Sequence, residues 1–267
     1  MTTAPAPRRA GARDFLALAL LAAAVSATFW AWDFVAPPAP RPIDAPAGEF
    51  SALRAQAVLE RLAASQRPHP LASAESLAVR ERLLTELGGL GYQPEVQKTS
   101  AQHGGRFVAP LCNVLARLEG SQPTHTILCV AHYDSVAAGP GVSDDLAGCA
   151  ALLELAAMVK TWEQPRANVV FLLSEGEELG LLGAAAFAAE HPWMESVAVV
   201  LNVEARGTGG PSYLFETGPR DGWLVELYAQ HARRPATSSF AREIYRRLPN
   251  DTDFSVFLGH GKSGANL

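Results

Sequence analysis

At 267 residues, with 48% hydrophobic and 18% charged side chains, the chain is long enough for one sizeable core plus an appendage and is too apolar to be disordered throughout. A net charge of −5 leaves no basic footprint for nucleic acid, so no nucleic-acid partner is expected. Cys112, Cys129 and Cys149 lack zinc-finger spacing and fall in or near apolar stretches, which reads as small buried thiols rather than a disulfide framework.

Residues 1–14 form a short basic segment with Arg8, Arg9 and Arg13, and the run from 15 to 32 carries no charge. That is about the minimum for a membrane-spanning helix, and the arginines before it favour a cytoplasmic amino end. Residues 15–35 are therefore expected to be a transmembrane anchor or, given the small residues around Val25-Ser26-Ala27, a cleaved signal peptide. Either reading exports the rest of the chain, as a membrane-held domain facing away from the cytosol or as a secreted or periplasmic one. Residues 36–48 contain Pro37, Pro38, Pro40, Pro42 and Pro46 and are expected to be a stiff spacer.

The globular domain is expected over residues 49–267. Phe50, Leu53, Val58, Leu59 and Leu62 line one face of a helix, and Val79, Leu83, Leu84, Leu87 and Leu90 line another. Between them Arg67-Pro68-His69-Pro70 is a turn, and His69 is assigned a structural role because of its prolines and its distance from the acidic motifs. Residues 92–96 and 113–118 read as the first strands, with Gly104-Gly105 in a loop between. Apolar runs at 126–130, 169–173 and 197–203 then alternate with helical periodicity, which implies a mostly parallel sheet. Past a turn at 206–210, residues 213–216 resume a strand, and Leu224, Leu227 and Tyr228 mark a helix with His231 near its end. There is no internal repeat and no phosphate-cradling glycine loop.

Each of the three apolar strands is followed by chemistry: His132 and Asp134 after the first, Glu177 and Glu178 after the second, Glu204 after the third, with Ser143-Asp144-Asp145 one turn beyond His132. Ligands of open α/β sheets bind in the crevice at the carboxyl ends of the strands. Carboxylates and an imidazole converging there repel one another unless protonated or neutralised by cations, so a metal site is the economical reading. Helix capping is the other reading of Asp144 and Asp145, and a solvated helix start that of Glu175, Glu177 and Glu178. Pro140-Gly141 turns the first pair toward His132, and Glu175 is left as structural. His103, His125, His191 and His231 have no partners in these motifs.

The motifs His132-x-Asp134, Pro140-Gly141-Val142-Ser143-Asp144-Asp145-x-Ala147-Gly148, Glu177-Glu178-x-Gly180-x-x-Gly183 and Asn202-x-Glu204 resemble those of the M28 family of co-catalytic zinc aminopeptidases. Together with Asn250-Asp251-Thr252-Asp253-Phe254 they are similar to its membrane-anchored branch, related to the endoplasmic reticulum metallopeptidases. The resemblance implies a three-layer α/β/α fold with a mixed, mostly parallel central sheet, preceded here by the transmembrane or signal helix. It also implies two zinc ions, a water activated between them, and a peptide with a free N-terminus as substrate. Carried over by motif, Asp144 bridges the ions, His132 and Glu204 complete one of them, Glu178 binds the other, Glu177 is the general base and Asp134 orients His132. The family's second His would follow the 250–254 segment. The sequence reaches Leu267 before it, and His260 matches the loop before the strand leading there, so the domain is expected to lack its C-terminal end and the second position to be short of a ligand. Two alternatives stay open: a glutaminyl-cyclase-like single-zinc enzyme, and a catalytically impaired extracytoplasmic binding domain.

Overall fold

The computed structural model describes residues 11–103, 107–205, 210, 212–245, 247–248 and 251–267. Arg8 and Arg9, the Gly104-Gly105 loop, the turn at 206–209 and Asn250 lie outside the described residues. The chain divides into two compact units, residues 1–38 and 39–267.

The first unit holds helix α1, Ala12–Val35, begun by Asp14 accepting from the Gly11 amide at 2.7 Å. Its segment Ala12–Trp32 is long and apolar enough to cross a membrane, and its large side chains, Phe15, Leu20 and Trp30 among them, are exposed.

In the second unit, helices α2 (Ala52–Leu62) and α3 (Ala74–Gly89) precede strands β1 (Glu95–His103), β2 (Phe107–Leu118) and β3 (Thr126–His132). Helix α4 (Ala147–Val159), strand β4 (Asn168–Ser174), helix α5 (Leu182–Glu190) and strand β5 (Val197–Asn202) come next. The remainder is β6 (Tyr213–Leu214), β7 (Glu216–Thr217), α6 (Gly222–His231), β8 (Ala236–Thr237), α7 (Ser239–Tyr245), α8 (Asp253–Gly259) and β9 (Ser263–Asn266). Among the described residues the main sheet runs β1-β2-β4-β3-β5-β9-β7; β4, β3, β5 and β9 are parallel to their neighbours in that series, while β1, β2 and β7 join antiparallel. A small parallel pair, β6 with β8, stands apart. The expected three-layer, mostly parallel fold is therefore present.

Strand alternation builds the layers. In β3 and β4, Cys129, Ala131, Phe171 and Leu173 join Leu62, Val79, Leu83 and Leu152 on the α2, α3 and α4 face. Their neighbours Leu128, Val130, Val170 and Leu172 meet Phe187, Phe254 and Phe257 on the α5 and α8 face. Strands buried on both faces read as continuous apolar runs, which is why these are visible in sequence. Strand β1 is different: Glu95–His103 is mostly polar and lies at the sheet edge, so the expected strand at 92–96 is displaced and lengthened. Phe50 precedes α2 and, like Leu53, is partly exposed, so the apolar face of that helix rests on its later residues.

Of the expected spacer, 36–48, the part from residue 39 onward belongs to the second unit and is bolted to the domain. Ser51 Oγ donates to the carbonyls of Arg41 and Pro42 at 3.1 and 2.7 Å, and Arg54 donates to those of Ile43 and Ala45 at 3.2 and 2.7 Å. Glu154 on α4, buried, receives the Ser51 amide at 2.9 Å and pairs with Arg54 at 2.7 Å. Proline removes a donor but keeps its carbonyl, so a Pro-rich strap can still be held through its acceptors.

Candidate metal centre

The register of the parallel strands sets out the site. His132 pairs with Ser174, and Val130 with Asn202, so the carboxyl ends of β3, β4 and β5 lie together and the residues just past them enter one crevice. Asp144 reaches it from the turn Val142–Leu146, where Gly141 is left-handed (φ 59°) and Asp144 and Asp145 depart from helical dihedrals before α4 begins at Ala147. A side chain on Gly141 would place its Cβ 2.6 Å from Ser135 Cβ and 2.9 Å from the Asp144 carbonyl, so both conformation and space demand glycine there.

His132 is buried, and its Nδ1 faces two acceptors, the Asp134 carbonyl at 3.0 Å and Asp134 Oδ1 at 3.5 Å. Those acceptors hold a proton on Nδ1, so that it is Nε2 that faces the crevice. There Nε2 lies 3.1 Å from Asp144 Oδ1 and 3.6 Å from Glu204 Oε1. Donor atoms of His132, Asp144 and Glu204 all fall within 4.8 Å of one another. Ligands around a tetrahedral zinc are separated by about 3.3 Å, given metal–ligand bonds of 2.0–2.1 Å, so the donor set and its spacing fit such an ion. Burial lowers the His132 pKa, but the hydrogen bonds its ring donates to the carboxylates of Asp134, Asp144 and Glu204 outweigh it and hold the imidazole well above its ordinary value. That is the electrostatic signature of a place wanting positive charge.

Asp145 does a different job from Asp144. It is buried, its Oδ2 accepts the His132 amide at 3.3 Å and its Oδ1 the Gly148 amide at 3.0 Å. It thereby joins the end of β3 to the first turn of α4, and burial pushes its carboxyl well above the usual range.

The Glu pair is held by the turn after β4. Gly183 lies where a Cβ would come 2.5 Å from Asn113 Oδ1 and 2.6 Å from the Glu175 carbonyl, so α5 can close on the strands only through that glycine. The Glu177 amide donates to Asp134 Oδ1 at 3.1 Å, and Glu177 Oε2 stands 4.0 Å from His132 Nε2. Burial pushes the Glu177 carboxyl up to about 9. Glu178 is not in the compact three-residue group; its Oε1 accepts the Val136 amide at 3.2 Å, and it lines with Asp144, Glu177, Glu204, Phe215 and Tyr245 a crevice of 380 Å³. Glu175 is structural as expected, buried and accepting from the Ser76 hydroxyl and, at 2.8 Å, from the Cys112 amide.

The family model described as Peptidase family M28 matches residues 113–267, more than half of the chain. The chain belongs to peptidase family M28. Endoplasmic reticulum metallopeptidase 1 of Rattus norvegicus is 32% identical to it over 234 residues, covering 80% of this chain and 26% of that protein. The vacuolar membrane protease of Eremothecium gossypii is 31% identical over 242 residues, covering 82% and 23%. This M28 chain thus spans about a quarter of the length of the relatives it matches. Among solved structures, a glutaminyl cyclase from an Acidobacteriales bacterium superposes with a TM-score of 0.66 at 14% identity, covering 86% of this chain and 83% of that one. A Zn-dependent exopeptidase from Parabacteroides distasonis gives 0.65 at 16%, covering 83% and 85%. At such identities these two likenesses speak for the fold alone.

His260, His191 and His231 fall away from the centre. His260 is exposed at the end of α8, before β9; since β9 runs parallel to β5, it stands at the opposite end of the sheet from Glu204. His191 is buried against Phe187 and close to Glu95, and His231 closes α6 on the Leu227 carbonyl. The three cysteines are free; Cys149 Sγ donates to the His132 carbonyl at 3.1 Å, and burial raises the Cys129 thiol to about 12.

Sequence reasoning gives two residues near the centre no part in it: Asp253 is left without a role and His69 is read as structural. Asp253, inside the 250–254 motif, is buried and accepts from the Ser174 hydroxyl, while its other oxygen has no partner; burial pushes it up to about 7. His69, far from the acidic motifs along the chain, is brought by the fold against Ser135, next to Asp134. The motif match around Asp253 is the available signal for it; His69 offers none.

Proposed function

We propose that this domain is a zinc-dependent aminopeptidase whose first ion is held by His132, Asp144 and Glu204. The observation that carries the reading is the convergence of those donor atoms within 4.8 Å, at the carboxyl ends of parallel strands. Zinc, when bound, supplies a Lewis acid that polarises a peptide carbonyl and makes water acidic enough to attack near neutral pH. Asp134 keeps the His132 proton on Nδ1. Asp144, the most exposed of the three, would together with Glu178 hold a second ion. Glu177 lies close enough to the donors to take a proton from the attacking water and pass it to the departing amine; bound cations would bring its carboxyl down from about 9 into a useful range. The surplus of carboxylates around the crevice suits the ammonium of a peptide N-terminus, which favours removal of N-terminal residues. Helix α1, with basic residues before it, supports a membrane-held domain on the extracytoplasmic side, or a released one if the helix is cleaved.

A second reading has one observation in its favour: among the described residues a single three-donor group is found. One zinc with a buried carboxyl beside it also suits cyclisation of an N-terminal glutamine. Zinc per chain, measured alongside release of N-terminal residues and cyclisation of glutaminyl peptides, separates the readings. Two ions with release of residues support the first, one ion with cyclisation the second, and neither activity leaves a binding domain. Glu177→Gln is expected to abolish hydrolysis with zinc content unchanged; loss of zinc from that variant would remove the base assignment.

A further inference from the structure

The segment from Asp134 to Asp144 supplies three of the groups gathered at the crevice. It contains Asp134 and Asp144, and its Val136 amide holds Glu178. His69, which is 1% exposed and comes from a distant part of the chain, touches this segment near both ends. At one end its backbone amide donates to Ser135 Oγ at 2.8 Å and its carbonyl accepts the Ser135 amide at 3.3 Å. At the other, its ring packs beneath Gly141, where a Cβ would lie 2.9 Å from His69 Cε1 and 2.9 Å from the Asp144 carbonyl. The ring itself is oriented by Nδ1 on the Arg67 carbonyl at 3.1 Å.

We propose that His69 is a positioning residue of the centre, whose imidazole sets the 135–144 segment so that Asp144 and Glu178 face His132. A residue that only filled space here would be apolar, because a buried polar atom without a partner is costly. Among the described residues His69 Nε2 is buried with no partner, and so is Asp134 Oδ2 in the residue next to Ser135. The His69 backbone bonds to Ser135 do not depend on its side chain, so removing the ring frees the Gly141 turn without detaching the segment. The proposal rests on the reading of His132, Asp144 and Glu204 as a metal group.

The test uses the full chain with His69→Ala, His69→Gln and Gly141→Ala, zinc affinity being read by chelator competition and the fold by melting of the metal-free protein. His69→Ala is expected to melt close to the parent yet bind zinc about 10-fold or more weakly, as loss of a residue supporting a ligand does. His69→Gln, which restores a polar side chain of similar reach, is expected to recover part of that affinity. Parental zinc affinity in a folded His69→Ala overturns the proposal, as does a loss of melting temperature that accounts for all the loss of affinity and is not relieved by glutamine. If His69→Ala fails to fold, Gly141→Ala decides: weakened zinc binding upholds the coupling of turn and centre, and parental affinity overturns it. A parent chain that binds no zinc at all would overturn the metal reading first, and this proposal with it.

Discussion

His132 and Asp134 are 1% and 0% exposed at the end of a central strand, whereas Asp144, across the crevice, keeps 57% of its side chain in solvent and Glu178 hangs from one amide. The first flank is fixed by sheet register and by Asp145 beneath it. The second depends on turns and on carboxylates that repel one another unless protonated or neutralised. A rigid scaffold thus presents His132, and turns bring Asp144 and Glu178 to it.

His132→Ala breaks this contrast most severely, because it removes the donor on which the fixed flank converges. Zinc affinity is expected to fall by more than about 100-fold, beyond what loss of a supporting residue costs, and chelator competition reads it. Unaltered zinc retention would place His132 outside the metal group. Glu178→Gln is milder: on the two-ion reading it should remove the weaker zinc equivalent and leave the other. If elemental analysis finds all zinc gone, the two flanks are one site rather than a strong and a weak one.

Proton linkage sharpens the contrast in the metal-free chain. Asp253, buried behind the fixed flank, has its carboxyl pushed up to about 7 from an ordinary 3.8, so the folded chain keeps a proton that the unfolded chain releases in between. Its contribution is therefore greatest below about pH 4 and is lost as the pH rises toward 7. Asp253→Asn should gain thermal stability relative to the parent across that window, and a constant difference between the two melting curves would contradict the assignment. The smallest effect expected at the centre is that of Arg54→Ala. Unpairing buried Glu154 and loosening the strap should cost about 2 kcal/mol in a urea titration, less than for a fully buried pair because Arg54 is partly solvated. Zinc affinity should not change; a large change would mean that the strap reaches the crevice through α4.

The legibility of this protein in its sequence tracks burial. Strands β3 and β4 are covered on both faces and, like the more exposed β5, read as apolar runs whose ends announce His132, Glu177 and Glu204. Strand β1 lies away from its expected place because an edge strand need not be apolar, and its polar residues resemble a loop. The strap at 39–49 reads as a spacer because proline content reports backbone stiffness and says nothing about what the carbonyls bind. His69 is hidden for a third reason: its neighbour at the centre, Ser135, is 66 residues away along the chain. No periodicity or motif encodes such a pairing; it exists only once α3 and the sheet have packed.

Asp145 ends β3 and starts α4 with one carboxylate, through the His132 and Gly148 amides. Strand end, helix start and the His132 imidazole therefore open together or not at all, and both amides should exchange with solvent only in the rare openings that also disrupt the core. For the chain as a heritable object, this means that lesions in the first turn of α4 and lesions at His132 belong to one class. A substitution at Gly148, where any Cβ would meet the Asp145 carboxylate at 2.3 Å, is as much a wound to the centre as to the helix.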